Sequence, residues 1–410
     1  MATSLINALL GYGYWTLAAR FMPSTAVGIG SAATSALVLV SLTAHLGAGA
    51  GLIARLPQRT SDEEWQLTAV TALVTTAAVA LLVAVAATFS LALAVHSVRV
   101  LSSDPLFAAF SVLGVTGWTM AGILDHLFIA ERRSALMMAR NASTALSKLI
   151  GLGAVVLVRT DTGPLALVGT WAVSALVGSA TGILLCHRRI RRLRPVPLAA
   201  IPSEMASLMP PALGHHAISL GGLAPTYLLP IVVTARLGAR ANARFYIAWM
   251  VCSAVFMISP AVASTLFAQG SHDAAHLRRL TRRTSLVTLG AITVAAMGIC
   301  ATAPIVLRLF GTGYSSGFTL LLILLLSAFP DAVSNLAVAV FRVRRQFLAA
   351  AAVNALIAVV TVAGAWLTTP ALGVCGAGLA WLGAQTAGVL VALVLRGGLR
   401  PTEGVSYARS

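Results

Sequence analysis

Residues 67–95 read LTAVTALVTTAAVALLVAVAATFSLALAV, 29 positions without one charged side chain. A helix rises about 1.5 Å per residue, so about 20 such residues cross the roughly 30 Å hydrocarbon of a bilayer. The stretch lacks the strict apolar/polar alternation of a barrel strand, which leaves a membrane-spanning helix as the way to satisfy its backbone in lipid. Comparable runs fill the chain on both sides. Before it come Leu5–Ala19 and Gly28–Ile53; after it come Leu106–Ala130, Ala142–Val158 and Leu165–Cys186. A second set covers Leu208–Val233, Phe245–Phe267, Ser285–Val306, Phe318–Val340, Phe347–Leu367 and Val374–Leu395. With 58% hydrophobic and 10% charged residues and a mean hydropathy of +0.91, no soluble core could hide so much apolar surface. The sequence therefore predicts an all-α, polytopic membrane protein of about twelve transmembrane helices.

The net charge of +17 would suggest a nucleic-acid partner in a soluble protein, but here the basic residues stand in short clusters between apolar runs. Twenty of the arginines follow even-numbered spans, among them Arg55, Arg132, Arg188 to Arg194, Arg278 to Arg283, Arg342 to Arg345 and Arg396 to Arg409; seven follow odd-numbered spans. Loops rich in Arg and Lys stay cytoplasmic, so both termini are expected in the cytoplasm of a plasma-membrane protein, with no role for nucleic acid. The first run has no basic flank before it and no cleavage site, and more spans follow; it reads as helix one rather than a signal peptide.

The longest basic linker, 187–205, divides the chain into an N-terminal lobe (1–186) and a C-terminal lobe (206–395), with a cytoplasmic tail at 396–410. The halves look alike: Ala19-Arg20-Phe21 closes the first span and Ala235-Arg236-Leu237 the seventh; Glu131-Arg132-Arg133 closes the fourth and Arg342-Val343-Arg344-Arg345 the tenth. Two copies separated by six helices share one orientation, as in transporters with parallel repeats.

No enzyme constellation is visible, the expected outer loops are too short to carry one, and there is no phosphate-cradling Gly-Lys-Ser/Thr loop. The cysteines Cys186, Cys252, Cys300 and Cys375 lack metal-ligand spacing, so neither a metal nor a cofactor is expected. What remains are ionisable residues inside the spans, which are costly in hydrocarbon and face a bundle interior or a wet cavity. Lys148, the sole lysine, lies in span five, with Asp125 and His126 in span four at what looks like similar depth. Asp125 and Lys148 either neutralise each other in a salt bridge or leave Lys148 on a cavity wall as a point charge for a substrate phosphate. Asp331 follows Pro330 in mid-span ten; it reads either as a site for a coupling cation or proton or as a cap for amides freed by the proline. His215 and His216 sit in a span that also carries Pro210, Pro211, Pro225 and Pro230. That span is expected to be broken, with the histidines either meeting phosphate or sugar or resting at the headgroups. The glycines 47, 49 and 51 after His45 read as close helix packing.

The order of local patterns resembles the polysaccharide-transporter branch of the multidrug, oligosaccharidyl-lipid and polysaccharide flippase superfamily. The matching stretches are Tyr14 to Phe21, Ala26-Val27-Gly28 and Leu52 to Pro57; Leu124-Asp125, Arg132-Arg133, Arg140-Asn141 and Lys148-Leu149; Leu229-Pro230, Ala241 to Ala243, Phe245 to Trp249 and Leu266 to Ser271; and Leu309-Phe310-Gly311, Tyr314 and Arg342 to Arg345. The resemblance implies two six-helix lobes around a central cavity that opens alternately to each side. It also implies a lipid-linked, pyrophosphate-bearing saccharide as cargo, membrane lipids as surroundings, and a polysaccharide polymerase and glycosyltransferases as partners. Two departures stand out: Gln269 replaces an expected acidic residue, and the chain begins without the usual basic tail, as a trimmed or misassigned start would. A multidrug or cation antiporter of the same fold is the first alternative, although it calls for several cavity carboxylates. A non-transporting membrane scaffold for cell-envelope assembly is the second.

Overall fold

The computed structural model describes residues 2–94, 104–158, 163–208, 210–272 and 277–398, and no strand occurs among them. Two of the seven arginines that follow odd-numbered spans, Arg99 and Arg159, together with Arg400 and Arg409 and the side chains of His215 and Arg396, fall outside what is described. In the first half α1 is Ala2–Phe21, α2 Ser24–Ala44, α3 Ala48–Arg55, α4 Asp62–Ala94, α5 Pro105–Ala130, α6 Ser134–Val158 and α7 Pro164–Arg189. A short α8, Ile201–Leu208, follows the basic linker. In the second half α9 is Pro210–Leu237, α10 Ala239–Phe256, α11 Ile258–His272, α12 Leu277–Phe310, α13 Phe318–Val343, α14 Phe347–Leu372 and α15 Val374–Gly398. Among the described residues, 11 helical stretches are long and apolar enough to cross a membrane. The 20-residue α1 is not one of them, yet it packs against α6 and α12 in the place expected of the first span.

Prolines do not interrupt these helices where the sequence suggests they should. Helix α9 continues through Pro225 and Pro230, and α13 through Pro330. Neighbouring helices and local side chains can satisfy the backbone groups a proline frees. In α9 the turn after Pro230 is braced by the Thr234 hydroxyl, which donates to the Pro230 carbonyl at 2.7 Å. The broken helix is instead the second span. Leu46 and Gly47 adopt left-handed conformations (φ 46° and 79°) between α2 and α3. A leucine there is disfavoured, so tertiary contacts must hold the bend. The eighth span is likewise interrupted at Met257, between α10 and α11.

The internal repeat reaches the level of single hydrogen bonds. At the end of α5, Arg132 has φ 54° and the Arg133 amide donates to the Phe128 carbonyl at 2.8 Å. At the end of α13, Arg345 has φ 58° and the Gln346 amide donates to the Phe341 carbonyl at 2.8 Å. Each is a six-to-one helix termination of the Schellman type, with arginine in the position glycine usually takes.

The two halves meet through α1, α2 and α3 on one side and α9, α10 and α12 on the other. At the end away from the basic loops they interlock. The Asn242 amide donates to the Gly28 carbonyl at 2.8 Å and to Ser31 Oγ at 3.1 Å, Arg20 Nε donates to the Leu309 carbonyl at 2.7 Å, and the rings of Trp15 and Tyr246 lie 4.6 Å apart. Contact here is backbone to backbone, since a Cβ on Gly28 would fall 1.8 Å from the Ala239 carbonyl oxygen. Among the described residues α4 to α7 make no comparable contact with the second half, which leaves a wedge between them at the basic end.

The linker is fastened to the first half. Arg191 pairs with Asp62 at 2.6 Å and lies over the Trp65 ring, the Gln66 side chain bonds the backbone at Arg192 and Arg194, and Glu204 accepts from Arg59 and Thr68 at 2.6 Å each. Leu208, at the end of α8, is buried in the core of the first half with Leu52, Trp65 and Phe128.

Candidate functional site

Two adjoining cavities open into the wedge. One, of about 560 Å³, lies between the broken second span, α5, α6 and α9, and is lined by His45, Asp125, His126, Arg140, Lys148 and His216 among others. The second, of about 490 Å³, lies within the second half and is lined by Trp249, Phe256, Asp331, Arg342, Trp381 and Gln385 among others. Ser219 and Leu223 of α9 border both, so this helix is the partition. Arg342 Nη2 donates to Ser219 Oγ at 3.3 Å, tying the partition to α13.

Of the two readings left open for Asp125 and Lys148, the salt bridge between them does not form. Asp125 pairs with Arg140, Nη2 to Oδ2 at 2.6 Å, and accepts from the Asn141 amide at 3.2 Å. The reason is helical rise. With α5 and α6 antiparallel about Arg132, Asp125 is seven residues before the turn and Arg140 eight after it, so the two lie level. Lys148 is eight residues further on. At about 1.5 Å per residue, that places it roughly 12 Å deeper. Its ammonium sits 4.9 Å from the centre of the Tyr14 ring, and it has no carboxylate partner among the described residues. Tyr14 is itself fixed, its hydroxyl bonded to the Leu167 carbonyl at 3.1 Å and to Thr170 at 3.0 Å. A fixed aromatic face under a lone cation offsets part of its desolvation without cancelling its charge.

Asp331 is 6% exposed and does not cap broken backbone, because α13 is unbroken. Its carboxylate accepts from Ser259 Oγ at 2.6 Å and from Gln385 Nε2 at 3.2 Å, while its own carbonyl accepts from Ser334 and Asn335 at 2.9 Å each. All these partners are neutral. Arg342, the basic residue lining the same cavity, is three turns along α13. His216 reaches the first cavity, where its Nε2 is buried without a hydrogen bond.

The structure thus gathers Lys148, Asp125 and His216 at one cavity and sets Asp331 in the other. Arg140 is what the sequence reading missed, because a hydropathy boundary before Ala142 assigned it to a loop. The signal was the level spacing of Asp125 and Arg140 about the Arg132-Arg133 turn. His45 and His126 also line the first cavity, and neither the glycine-packing reading nor the depth argument marked them as site residues.

No family model matches the sequence, and no curated protein matches it. Solved structures do. A multidrug resistance MATE family transporter of the MOP superfamily, in an inward-facing conformation, overlays with a TM-score of 0.74 at 13% identity, covering 95% of this chain and 93% of that one. The lipid II flippase MurJ, in an inward closed conformation, overlays with a TM-score of 0.78 at 12% identity, covering 97% and 87%. The chain has the fold of MOP-superfamily transporters. A MOP-superfamily transporter from Pyrococcus furiosus, described as having a binding pocket of reverse polarity, overlays at 0.65 with 14% identity over 96% and 92%. An outward-facing structure of a MATE family transporter overlays at 0.64, below the inward-facing one.

Proposed function

We propose that the chain is a flippase that carries lipid-linked saccharide precursors across the plasma membrane by alternating access, for polysaccharide synthesis or export. The observation that carries this reading is Lys148: a cation without a carboxylate partner, set over a fixed aromatic ring, in a cavity whose second cation is already neutralised by Asp125. Such a wall suits the pyrophosphate of a lipid carrier. The excess of arginines beside the parted end supports a cytoplasmic mouth, with both termini on that side. The wedge leaves the lipid tail free to stay in the bilayer while the headgroup crosses. The 1–186 and 206–395 halves are the rocking bodies in this scheme, with polymerase and glycosyltransferases as natural partners.

Asp331 is assigned the coupling role. A buried carboxylate with only neutral partners lies beside the aromatic walls of Trp249, Phe256 and Trp381. That setting suits a cation or proton that drives the cycle. The same feature is what a cation antiporter would use, so the two readings divide on what Lys148 does. In proteoliposomes loaded with a fluorescent lipid-linked saccharide, Lys148→Ala should slow flipping at least about tenfold and Lys148→Arg should retain most of it, because a point charge is the requirement. Normal flipping by both variants would remove Lys148 from the site. Movement of organic cations with no movement of the sugar lipid would favour the antiporter, and failure to move either under any ion gradient would favour a scaffold.

A further inference from the structure

Three histidines from three helices border the first cavity: His45 at the end of α2, His126 on α5 and His216 on α9. The rings of His45 and His126 are 6.4 Å apart. Their placement depends on a reciprocal pair of glycines. A Cβ on Gly122 would lie 2.4 Å from His45 Nε2, and a Cβ on Gly49 would lie 2.5 Å from His126 Cγ. Each ring is also oriented by a backbone carbonyl, His45 Nε2 on Thr119 at 3.1 Å and His126 Nδ1 on Gly122 at 2.7 Å. A carbonyl only accepts, so these nitrogens carry the protons, and in the neutral ring the other nitrogen is the one that can accept a proton. His216 Nε2 is buried with no partner. Each ring can therefore gain a proton without surrendering an existing bond.

Resting on the flippase reading, we infer that His45, His126 and His216 form a proton-accepting collar that takes up protons when the anionic headgroup enters and gives them up when it leaves. The chemistry that singles out histidine is the charge of the cargo. A pyrophosphate esterified at both ends keeps one ionised oxygen on each phosphorus throughout the range in which imidazole titrates, so any pH dependence of binding belongs to the protein. The other charged groups facing the collar are Asp125 on α5 and Arg140 and Lys148 on α6, with Arg342 beyond Ser219 on α13. Asp125 is held as an ion pair by Arg140, which leaves the imidazoles and the Lys148 ammonium as the groups free to change, and the Lys148→Ala variant below separates the two. Binding of an anion favours the protonated rings. Affinity must then tighten as pH falls through the collar's range and level off once the rings are protonated in the free protein.

The test is binding of farnesyl-pyrophosphoryl-glucose to the purified full chain in detergent between pH 5.5 and 8.5. Wild type should bind roughly tenfold more tightly at pH 5.5 than at 7.5, as one or more imidazoles become charged. His45→Gln, His126→Gln and His216→Gln should each flatten that ratio, whereas Lys148→Ala should weaken binding at every pH and keep the slope. A second measurement needs no variant: mixing wild type with the probe near pH 7 in weak buffer with an indicator dye should register proton uptake. Binding without proton uptake and with equal affinity across the range would overturn the collar and leave the flippase reading standing. A pH dependence that survives in all three glutamine variants would also overturn it. No binding at any pH would defeat the flippase reading itself.

Discussion

The two halves share a frame and differ in charge. Counted back from the left-handed arginine that ends each fourth helix, Asp125 occupies the position of Val338, and Asp331 the position of Trp118. Each half thus places one acid near its cavity, at non-equivalent positions, and surrounds it differently. Asp125 faces a guanidinium, and its charge is cancelled in place. Asp331 faces a hydroxyl and an amide, both of them neutral donors. The first acid ties α5 to α6 through an ion pair, whereas the second has only neutral partners and is the one that the proposed scheme couples to a cation or proton.

Arg140→Ala gives the largest effect if this contrast is right. It strands the Asp125 carboxylate in a site where the Arg140 side chain was 5% exposed. The loss should be about 3 kcal/mol, read as a lowered Tm in detergent. Adding Asp125→Asn should recover much of it; no recovery would mean the pair is not what stabilises the hairpin. Next comes Asp331→Asn, nearly isosteric and able to keep the Ser259 and Gln385 contacts. It should leave Tm close to wild type yet cut ion-driven flipping at least about tenfold, equivalent to about 1.4 kcal/mol in the barrier. A large drop in Tm with unchanged flipping would reverse the roles assigned to the two acids. The smallest effect is expected for Gln385→Ala, which removes one donor to Asp331 and the acceptor of Ser334. It should cost about 1 kcal/mol of stability and shift the concentration of driving ion needed for half-maximal flipping.

Much of the frame was legible because hydrocarbon imposes a length and polarity rule that a sequence must obey. The apolar runs gave the helices, and the arginine turns that close α5 and α13 share one geometry. The ends were less legible. Arg278, Arg279, Arg282 and Arg283 looked like loop, yet they lie on α12. A helix crossing the interface keeps winding while its side chains turn to water. Hydropathy cannot see that. Helix breaks were misplaced for a related reason: proline announces a break in the sequence, but neighbouring helices can absorb its cost, as in α9. The bend at Leu46 comes instead from contacts with α5 that no local pattern reveals. At the cavity, Lys148 and His216 were conspicuous as polar groups in apolar runs. Arg140 was hidden by sitting where a loop was expected.

In the proposed rocking scheme the clasp on the linker sets how force passes between the halves. Glu204 and Leu208 hold the chain against α3 and α4, and α9 begins two residues after Leu208. Any tilt of the second body is delivered at the first turn of α9, a helix of 28 residues. At about 1.5 Å per residue that rod is about 40 Å long, so about ten degrees of swing sweeps its far tip through about 7 Å. Lengthening the polypeptide between Leu208 and Pro210 would introduce play into that lever and uncouple the mouth from the opposite seal.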